Sequence, residues 1–264
     1  MKEILYVLWS FRYFILSSIR TEFRSRFARS KLGGLWMILN PLAMVLIYTL
    51  VLSQIMSAKL PNVSTIYAYP IYILSGMVAW TLFSEVFSRS LNIFIDNGNL
   101  IKKMNFPKLA LPLIAMGTSL VNFFFLLVTM FIVMMFLGHY PTNVLYWLPI
   151  LILLTSGLGL GIGLFFGILN VFIRDIGQIL NIVLQFWFWL TPVVYMTSII
   201  PDKYHWLIML NPMTGLVMSY HKVLLYNSSP DLSLLIYPSV ITCISLILAL
   251  IMFKKANEEM ADLL

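Results

Sequence analysis

Two ionisable side chains, Glu85 and Arg89, interrupt the largely apolar segment 71–95. Because they lie four residues apart, they share one face of a helix and can form an ion pair. An ionisable residue within an apolar span is a functional candidate by default, whereas a neutralising pair near the end of a helix is often structural. The spacing predicts a buried ion pair and leaves both interpretations open.

Motifs for nucleotide binding and catalysis are absent from the sequence. There is no G-x-x-x-x-G-K-[ST] pattern that could hold the phosphates of ATP. The three histidines are scattered without the spacing of metal ligands, and the single cysteine, Cys243, has no disulfide partner. We therefore expect no catalytic residues, no metal site, no cofactor and no enzyme activity in this chain.

The composition places much of the chain in lipid. Of its 264 residues, 61% are hydrophobic and only 10% are charged, whereas soluble domains carry about 25% charged residues. A soluble fold could not cover this much apolar surface. The net charge of +7 permits a nucleic-acid partner, but the distribution of that charge argues against one.

Six segments are long and apolar enough to cross a bilayer, which takes about 20 residues of helix. They lie at residues 35–56, 71–95, 109–137, 144–172, 176–196 and 232–253. The predicted fold class is therefore an all-α integral membrane protein with six transmembrane helices. We divide the chain into a cytoplasmic basic segment, residues 1–31, and a transmembrane domain, residues 32–264.

The basic residues predict the orientation of these helices. With both the N-terminus and the C-terminus in the cytoplasm, all but three of the 17 Lys and Arg residues fall on the cytoplasmic side. The exceptions are Lys59, Lys203 and Lys222. This distribution is the positive-inside bias of membrane proteins, and it describes a girdle at the membrane surface, not a surface for nucleic acid.

The N-terminal segment combines this charge with an apolar stripe. Apolar residues recur at every fourth position, at Phe11, Ile15, Ile19, Phe23 and Phe27. This period predicts a helix that lies along the membrane interface. Its basic residues can meet anionic lipid headgroups. Arg12 and Arg26 fall within the stripe, so either their stems snorkel or the helix breaks there. The alternative is that the basic residues act only as a topology signal.

Two connecting segments are more apolar than solvated loops need to be. The outer loop, residues 197–231, is rich in apolar residues, and we predict two short re-entrant helices there, with their ends shielded by protein. The cytoplasmic segment 96–108 is basic but has an apolar side at Leu100, Ile101 and Phe106. A short amphipathic helix on the inner surface would allow a partner to move the second and third spans together.

Five aromatic residues are concentrated in the stretch QFWFWLTPVVY, residues 185–195. Flat aromatic faces suit sugar rings, and a modest attraction allows a polymer to slide instead of sticking. Phe186, Trp189 and Tyr48 lie deeper in their predicted spans than the aromatic residues of the interface, so they are candidates for lining a channel. Helix packing and the aromatic belt at the membrane interface are the alternatives left open.

Four segments together resemble one known family. RFARSKLGGLWMILNPL, NLIKKMNFPKLALPL, NVFIRD and LNPMTGLVMSY occur in the order and at the spacing found in the transmembrane subunits of ABC-2-type exporters. The polysaccharide permeases that export O-antigen or capsule are the branch that the chain resembles most. The resemblance covers nearly the whole chain, although teichoic-acid exporters and some drug exporters share the pattern.

The resemblance implies a homodimer with a channel between its halves and two copies of a separate cytoplasmic ATPase that binds the ATP. The implied cargo is an undecaprenyl-type lipid-linked polysaccharide that crosses the cell inner membrane. The channel lining would include Trp36, Tyr48, Phe186, Trp189 and Tyr195. The anionic headgroup would meet Arg20, Arg24, Arg26, Arg29 and Lys31. The ATPase would contact a coupling helix that carries Leu100, Ile101, Lys102, Lys103, Phe106 and Pro107.

Three other functions are compatible with the sequence. The same fold could export teichoic acid or a drug-like amphiphile. A membrane-embedded transferase would turn over its substrates without an ATPase. An ion-coupled carrier would work without ATP, and Glu85 would then be its proton site.

Overall fold

Helices make up the fold in the computed structural model, which describes residues 9–27, 68–103, 108–140, 142–256 and 259–260 and single positions between 32 and 47. For residues 23–27 and 103 it describes the backbone alone. The helices are α1 (Arg12–Phe27), α2 (Ala68–Asp96), α3 (Gly98–Lys103), α4 (Ala110–Phe136), α5 (Leu148–Phe172), α6 (Asp175–Leu190), α7 (Asp202–Met209), α8 (Pro212–Leu224) and α9 (Leu232–Ala256). Two 3₁₀ turns, Asn143–Trp147 and Thr197–Ile199, lie between them, and these described ranges contain no strand.

Four helices are long and apolar enough to cross a membrane, namely α2, α4, α9 and α5 with the 3₁₀ turn before it. The 25 residues of α9 measure about 38 Å at a rise of 1.5 Å per residue, more than the roughly 30 Å of a hydrocarbon core. These helices match, within a few residues, the predicted spans 71–95, 109–137, 144–172 and 232–253. An all-helical protein that crosses a membrane several times is thus confirmed. The predicted first span, 35–56, lies outside the described residues apart from single positions.

The fifth predicted span, residues 176–196, is shorter in the structure. Helix α6 ends at Leu190, because Thr191 adopts an extended backbone with φ −104° and ψ 134°. Pro192 follows directly, and the residue before a proline is disfavoured in the helical region. The 16-residue helix therefore measures only about 24 Å.

Helix α5 lies between α2 and α9 and approaches both through small residues. A Cβ atom on Gly163 would lie 2.6 Å from the carbonyl oxygen of Phe87 in α2. On the opposite side of the helix, Gly161 lies against Ser245 of α9. Small residues allow helix backbones to approach closely, which stabilises helix packing in a membrane, where burial of apolar surface gives no driving force.

Helices α2, α5 and α9 run parallel to one another, and α4 and α6 run in the opposite direction. Near the ends of α2 and α9, the rings of Phe94 and Phe253 stack with centroids 6.0 Å apart. Ser90 and Gly167 are adjacent near the ends of α2 and α5. We call this end of the bundle the basic end, because it carries Lys102, Lys108, Arg174, Lys254 and Lys255. The opposite end, which carries α7 and α8, is called the far end.

The far end contains the predicted outer loop, residues 197–231. Two short helices, α7 and α8, occupy this segment. Helix α8 packs against α2, α5 and α9, and its residues Leu216, Val217 and Tyr220 are fully buried. Burial within the bundle therefore explains the apolar residues of α8, whereas Trp206 and Leu207 of α7 and Leu210 after it are exposed.

Candidate functional site

One face of α6 is exposed in the part of the chain that the structure describes. Phe186 and Trp189 are 65% and 66% exposed. Ile179, Ile182 and Val183, one and two turns earlier, are exposed as well. Because these positions recur at helical spacing, they form a single stripe, which we call the α6 stripe. An apolar stripe of this size marks a surface for lipid, a second protein or a ligand.

The opposite face of α6 anchors the helix to α2. The ring of Trp187 meets Phe83 edge-on with centroids 5.0 Å apart. The ring of Phe188 meets Trp80 in the same way at 5.4 Å. The structure thus separates the two aromatic residues that hold the helix from the two that are exposed.

The segment that follows α6 is held to the far end of α2 by tyrosine hydroxyls. Tyr69 donates a hydrogen bond to the carbonyl of Val194 at 2.9 Å. Tyr72 donates to the carbonyl of Tyr195 at 2.8 Å. The predicted channel residue Tyr195 is half-buried, and this contact uses its backbone, not its ring.

Two other predicted channel residues belong to the first span. Trp36 is exposed, but most of its neighbours lie outside the described residues. Tyr48 itself lies outside them. Of the five predicted channel residues, Phe186 and Trp189 are therefore the two that share one exposed helix face in the described part of the chain.

Asn211 joins the end of α6 to the turn between α7 and α8. Its Oδ1 accepts hydrogen bonds from the Trp187 indole N–H at 2.8 Å and from the Met213 backbone N–H at 2.9 Å. The second bond caps α8. Its amide nitrogen donates to Thr191 Oγ1 at 2.8 Å. The sequence-based prediction does not include this residue, although an Asn directly before Pro212 is a helix-start signal that could have identified the cap.

Toward the basic end, Glu85 and Arg89 form an ion pair. Arg89 Nε donates to Glu85 Oε1 at 3.1 Å, and the two side chains are 21% and 24% exposed. Glu85 Oε1 also accepts a hydrogen bond from the side-chain amide of Asn122 in α4. The pair therefore links α2 to α4.

This pair belongs to a larger network that the sequence-based prediction misses. Glu22 of α1 accepts a charged hydrogen bond from Arg89 Nη1 through one oxygen and, through the other, a bond from Thr118 Oγ1 at 3.0 Å. Glu22 and Arg89 are 67 residues apart, so no local spacing rule pairs them. The available signal is that Glu22 is the single acidic residue between Arg12 and Lys31.

The predicted coupling segment contains a short helix, α3. Ile101 is buried in the core of the basic end, Leu100 is half-buried and Lys102 is exposed. One side of α3 is thus fixed to the bundle while another side is open. Three predicted coupling positions lie outside the description: the side chain of Lys103, and residues Phe106 and Pro107.

A second exposed turn, between α5 and α6, lies at the same end. Ile173 and Arg174 are exposed there. Buried Asn170 fixes the turn, because its Nδ2 donates to the Leu91 carbonyl at 3.2 Å and its Oδ1 accepts from the Gly177 N–H at 2.9 Å. We call α3 and this turn together the basic-end surface.

Helix α1 and the residues just before it turn an aromatic and basic face outward. Trp9, Tyr13 and Arg20 are exposed. The guanidinium carbon of Arg12 lies 4.8 Å from the Trp9 ring centroid and 4.5 Å from that of Tyr13, which is a cation–π arrangement. Ile19, from the predicted apolar stripe, contacts Gly117 of α4, so this part of the stripe faces protein. The other predicted headgroup positions, namely the side chains of Arg24 and Arg26 and residues Arg29 and Lys31, lie outside the description.

The three histidines lie apart and contribute to packing. Ring nitrogens of His139 and His205 lie 2.8 and 2.9 Å from backbone carbonyl oxygens. His221 stacks on Tyr72 with centroids 3.8 Å apart. Within the described ranges, no three His, Cys, Asp or Glu side chains are grouped so that they could hold a metal ion.

The four long apolar helices define an α-helical protein that crosses a membrane several times. The model of the ABC-2 type transporter family matches residues 13–225, and the chain belongs to that family. It is 30% identical over 257 residues to the O-antigen export system permease protein RfbA of Myxococcus xanthus, covering 97% of this chain and 96% of the relative. It is 28% identical over 247 residues to a Klebsiella pneumoniae protein of the same name, covering 92% of each. It is 23% identical over 245 residues to the polysialic acid transport protein KpsM of Escherichia coli, covering 90% of this chain and 92% of the relative.

Proposed function

We propose that this chain is the permease subunit of an ABC transporter that exports a lipid-linked polysaccharide, of the O-antigen or capsular type, across the cell inner membrane. The observation that carries the proposal is the α6 stripe, with Phe186 and Trp189 exposed, in a chain whose relatives are named as O-antigen export permeases. Aromatic rings attract sugars without many fixed hydrogen bonds, so a long polymer can pass. A separate subunit would bind and hydrolyse ATP, in agreement with the missing phosphate-binding motif.

The α6 stripe supports a homodimer with the export path between its halves. In a two-fold dimer the same patch of both copies meets. A two-fold axis beside α6 would bring Phe186 and Trp189 of both copies to opposite sides of one path. The aromatic rings would then line the path, and the aliphatic residues of the stripe would seal it.

In this proposal the basic end lies in the cytoplasm, together with both chain termini. Lys and Arg concentrate on the cytoplasmic side of membrane proteins, and exposed Lys102 and Arg174 lie at the basic end. Two ATPase subunits, one for each copy of the chain, would bind the basic-end surface. The fixed inner side of α3 would allow their movement to reach α2 and α4.

The exposed face of α1 would receive the charged end of the cargo. Arginine binds phosphate through paired hydrogen bonds, and Arg20 is exposed on this face. Together with Arg24, Arg26, Arg29 and Lys31 it would bind the pyrophosphate of an undecaprenyl-type carrier. The outward Trp9 and Tyr13 support placement of this face at the membrane interface, where such rings are enriched.

Helices α7 and α8 would form the exit at the far end. Backbone that re-enters a membrane without spanning it is tolerated where protein covers it. The burial of α8 against three long helices supports such a re-entrant position. The Asn211 contacts would then hold the exit helices to the end of α6.

The test is export of polysaccharide by truncated variants. In vesicles that contain the chain and its ATPase, Phe186→Ala and Trp189→Ala should each lower the export rate about tenfold, equivalent to about 1.4 kcal/mol, at unchanged protein levels. Phe124→Ala is the matched control, because Phe124 is similarly exposed on α4, and it should stay within about twofold. Equal rates in all three variants would contradict the proposed path.

A further inference from the structure

Helix α1 is linked to α2 through the carboxylate of Glu22. One carboxylate oxygen accepts from Arg89 Nη1 and the other accepts from Thr118 Oγ1 at 3.0 Å. The Glu22 side chain is 41% exposed and that of Arg89 is 21% exposed. The link therefore lies at the edge of the bundle, where it is only partly screened by solvent.

Arg89 binds two carboxylates from two different helices. Its Nε donates to Glu85 in its own helix at 3.1 Å, and its Nη1 donates to Glu22 in α1. A guanidinium is planar and its donors have a fixed geometry. Holding one edge of the group at Glu85 therefore sets the position that Glu22 must take, and with it the position of α1.

The same helix leads directly into the basic-end surface. Asp96 ends α2, and Asn97 alone separates it from α3. The Asn97 side chain donates to the Ile93 carbonyl of α2 at 2.9 Å, and the Asn97 carbonyl accepts from the Leu100 N–H of α3 at 3.0 Å, so this turn is hydrogen-bonded to both helices. Arg89 lies seven residues before Asp96, or about 10 Å along the helix axis. A displacement of α3 would therefore move Arg89 with it.

We propose that Glu22 is a positioning residue that makes α1 move with α2 and α3 as one unit. When the ATPase acts on the basic-end surface, the Glu22–Arg89 link carries the outward face of α1, including Arg20, along with it. The link thus connects the energy-supplying step with the helix that receives the charged end of the cargo. This inference rests on the proposed function, since it assigns a role to one residue within that cycle.

The first arm of the test measures whether Glu22 holds α1 in place, without any transport assay. Ile19 Cγ1 lies 3.3 Å from the position of a Cβ atom on Gly117, so cysteines at these two positions can form a disulfide. In a Cys243→Ser background, Ile19→Cys with Gly117→Cys should cross-link efficiently in membranes. Adding Glu22→Gln should lower the cross-linked fraction at least about twofold, whereas Glu22→Asp, which keeps a carboxylate for Arg89, should retain more of it.

The second arm measures polysaccharide exported per ATP hydrolysed by the vesicle complex, without the added cysteines. Glu22→Gln should lower this ratio about fivefold at an unchanged ATPase rate and protein level, and Glu22→Asp should lower it less. A residue that only stabilises the fold would lower the protein level and the ATPase rate together, and leave the ratio unchanged. Glu259→Gln removes an exposed carboxylate near the end of the chain and is the matched control.

The two arms separate failure of this inference from failure of the proposed function. Cross-linking that is insensitive to Glu22→Gln, or a ratio that is unchanged when cross-linking falls, would overturn the role of Glu22 while leaving the exporter intact. A parent chain that cross-links as expected but exports no polysaccharide with its ATPase would overturn the proposed function, and the coupling role with it.

Discussion

The two ends of α2 contact their neighbours through different chemistry. Toward the basic end, Arg89 binds carboxylates from α1 and α2. At the far end, Tyr69 and Tyr72 donate from neutral hydroxyls to backbone carbonyls of the segment after α6. Asn211 extends this neutral network to α8. One end is thus joined by charge and the other by neutral hydrogen bonds.

The difference indicates which end can rearrange. A charge that loses its partner within a membrane protein is costly, so the basic-end network must stay together and move as a unit. Each neutral hydrogen bond contributes only about 1 kcal/mol net, and several acceptors lie near the hydroxyls of Tyr69 and Tyr72. We therefore expect rigid-body movement at the basic end and local opening at the far end.

The largest effect should come from removing the shared cation. Arg89→Met leaves two carboxylates without their partner and should lower the free energy of unfolding by about 3 kcal/mol, the low end of the range for broken buried pairs because the group is partly exposed. Denaturation of the purified protein in detergent would measure it. Arg174→Met, at an exposed arginine, is the control and should change the value by about 0.5 kcal/mol or less. Combining Arg89→Met with Glu22→Gln and Glu85→Gln should recover most of the loss, and no recovery would show that charge is not the cause.

At the far end, Asn211→Ala should lower the free energy of unfolding by about 2 kcal/mol, because it removes the cap of α8 and leaves the indole N–H of Trp187 without its acceptor. Asn211→Asp keeps the acceptor oxygen but loses the amide donor, so we expect it to lower the free energy of unfolding by about 1 kcal/mol. The same denaturation experiment measures both, with Asn143→Ala at an exposed position as the control. If Asn211→Ala lowered the free energy of unfolding as much as Arg89→Met does, the proposed difference between the charged end and the neutral end would be contradicted.

Between the two ends, the close approach of α5 to α2 can be tested with an added methyl group. Gly163→Ala places a Cβ atom 2.6 Å from the carbonyl of Phe87, and the overpacking should cost about 1.5 kcal/mol. At Gly157 the nearest atom is a side-chain methyl of Thr242 at 3.0 Å, which can move, so Gly157→Ala should cost about 0.5 kcal/mol or less. Equal decreases in stability for the two variants would show that contact with the α2 backbone restricts position 163 no more than contact with a side chain restricts position 157.

The smallest effect is expected at the exposed ion pair of the far end. Lys222 and Asp231 pair with 31% and 53% of their side chains exposed. Lys222→Ala should cost about 0.5 kcal/mol, and added salt should abolish the difference, because such pairs are screened. Denaturation at low and high salt measures this. A loss of several kcal/mol would show that charge also fixes the far end.

The parts of the fold that depend on local pattern could be predicted from the sequence. The length and apolar composition of a segment are enough to predict a long transmembrane helix, because the thickness and polarity of the bilayer determine both. The spacing of Glu85 and Arg89 is enough for their pairing, since a helix brings positions four apart together. The break before Pro192 is also a local signal, and it ends α6 at Leu190, six residues before the end of the predicted span 176–196.

Features that depend on tertiary packing could not be predicted from the sequence. Residues 186–189 are all aromatic, and only the position of α2 decides that Trp187 and Phe188 are packed while Phe186 and Trp189 are exposed. Glu22 is likewise brought to Arg89 by the packing of α1 against α4, and the spacing of residues in the sequence does not predict this packing. These positions carry the proposed path and the proposed coupling.

The measurement that tests the central claim most directly is transport by the purified chain in sealed vesicles, with and without its ATPase subunit. Lectin binding on the trans side would report arrival of the lipid-linked polysaccharide. The account predicts a signal that requires the ATPase and ATP together and persists after the proton gradient is dissipated. A signal that appears without the ATPase, or that collapses with the proton gradient, would contradict it.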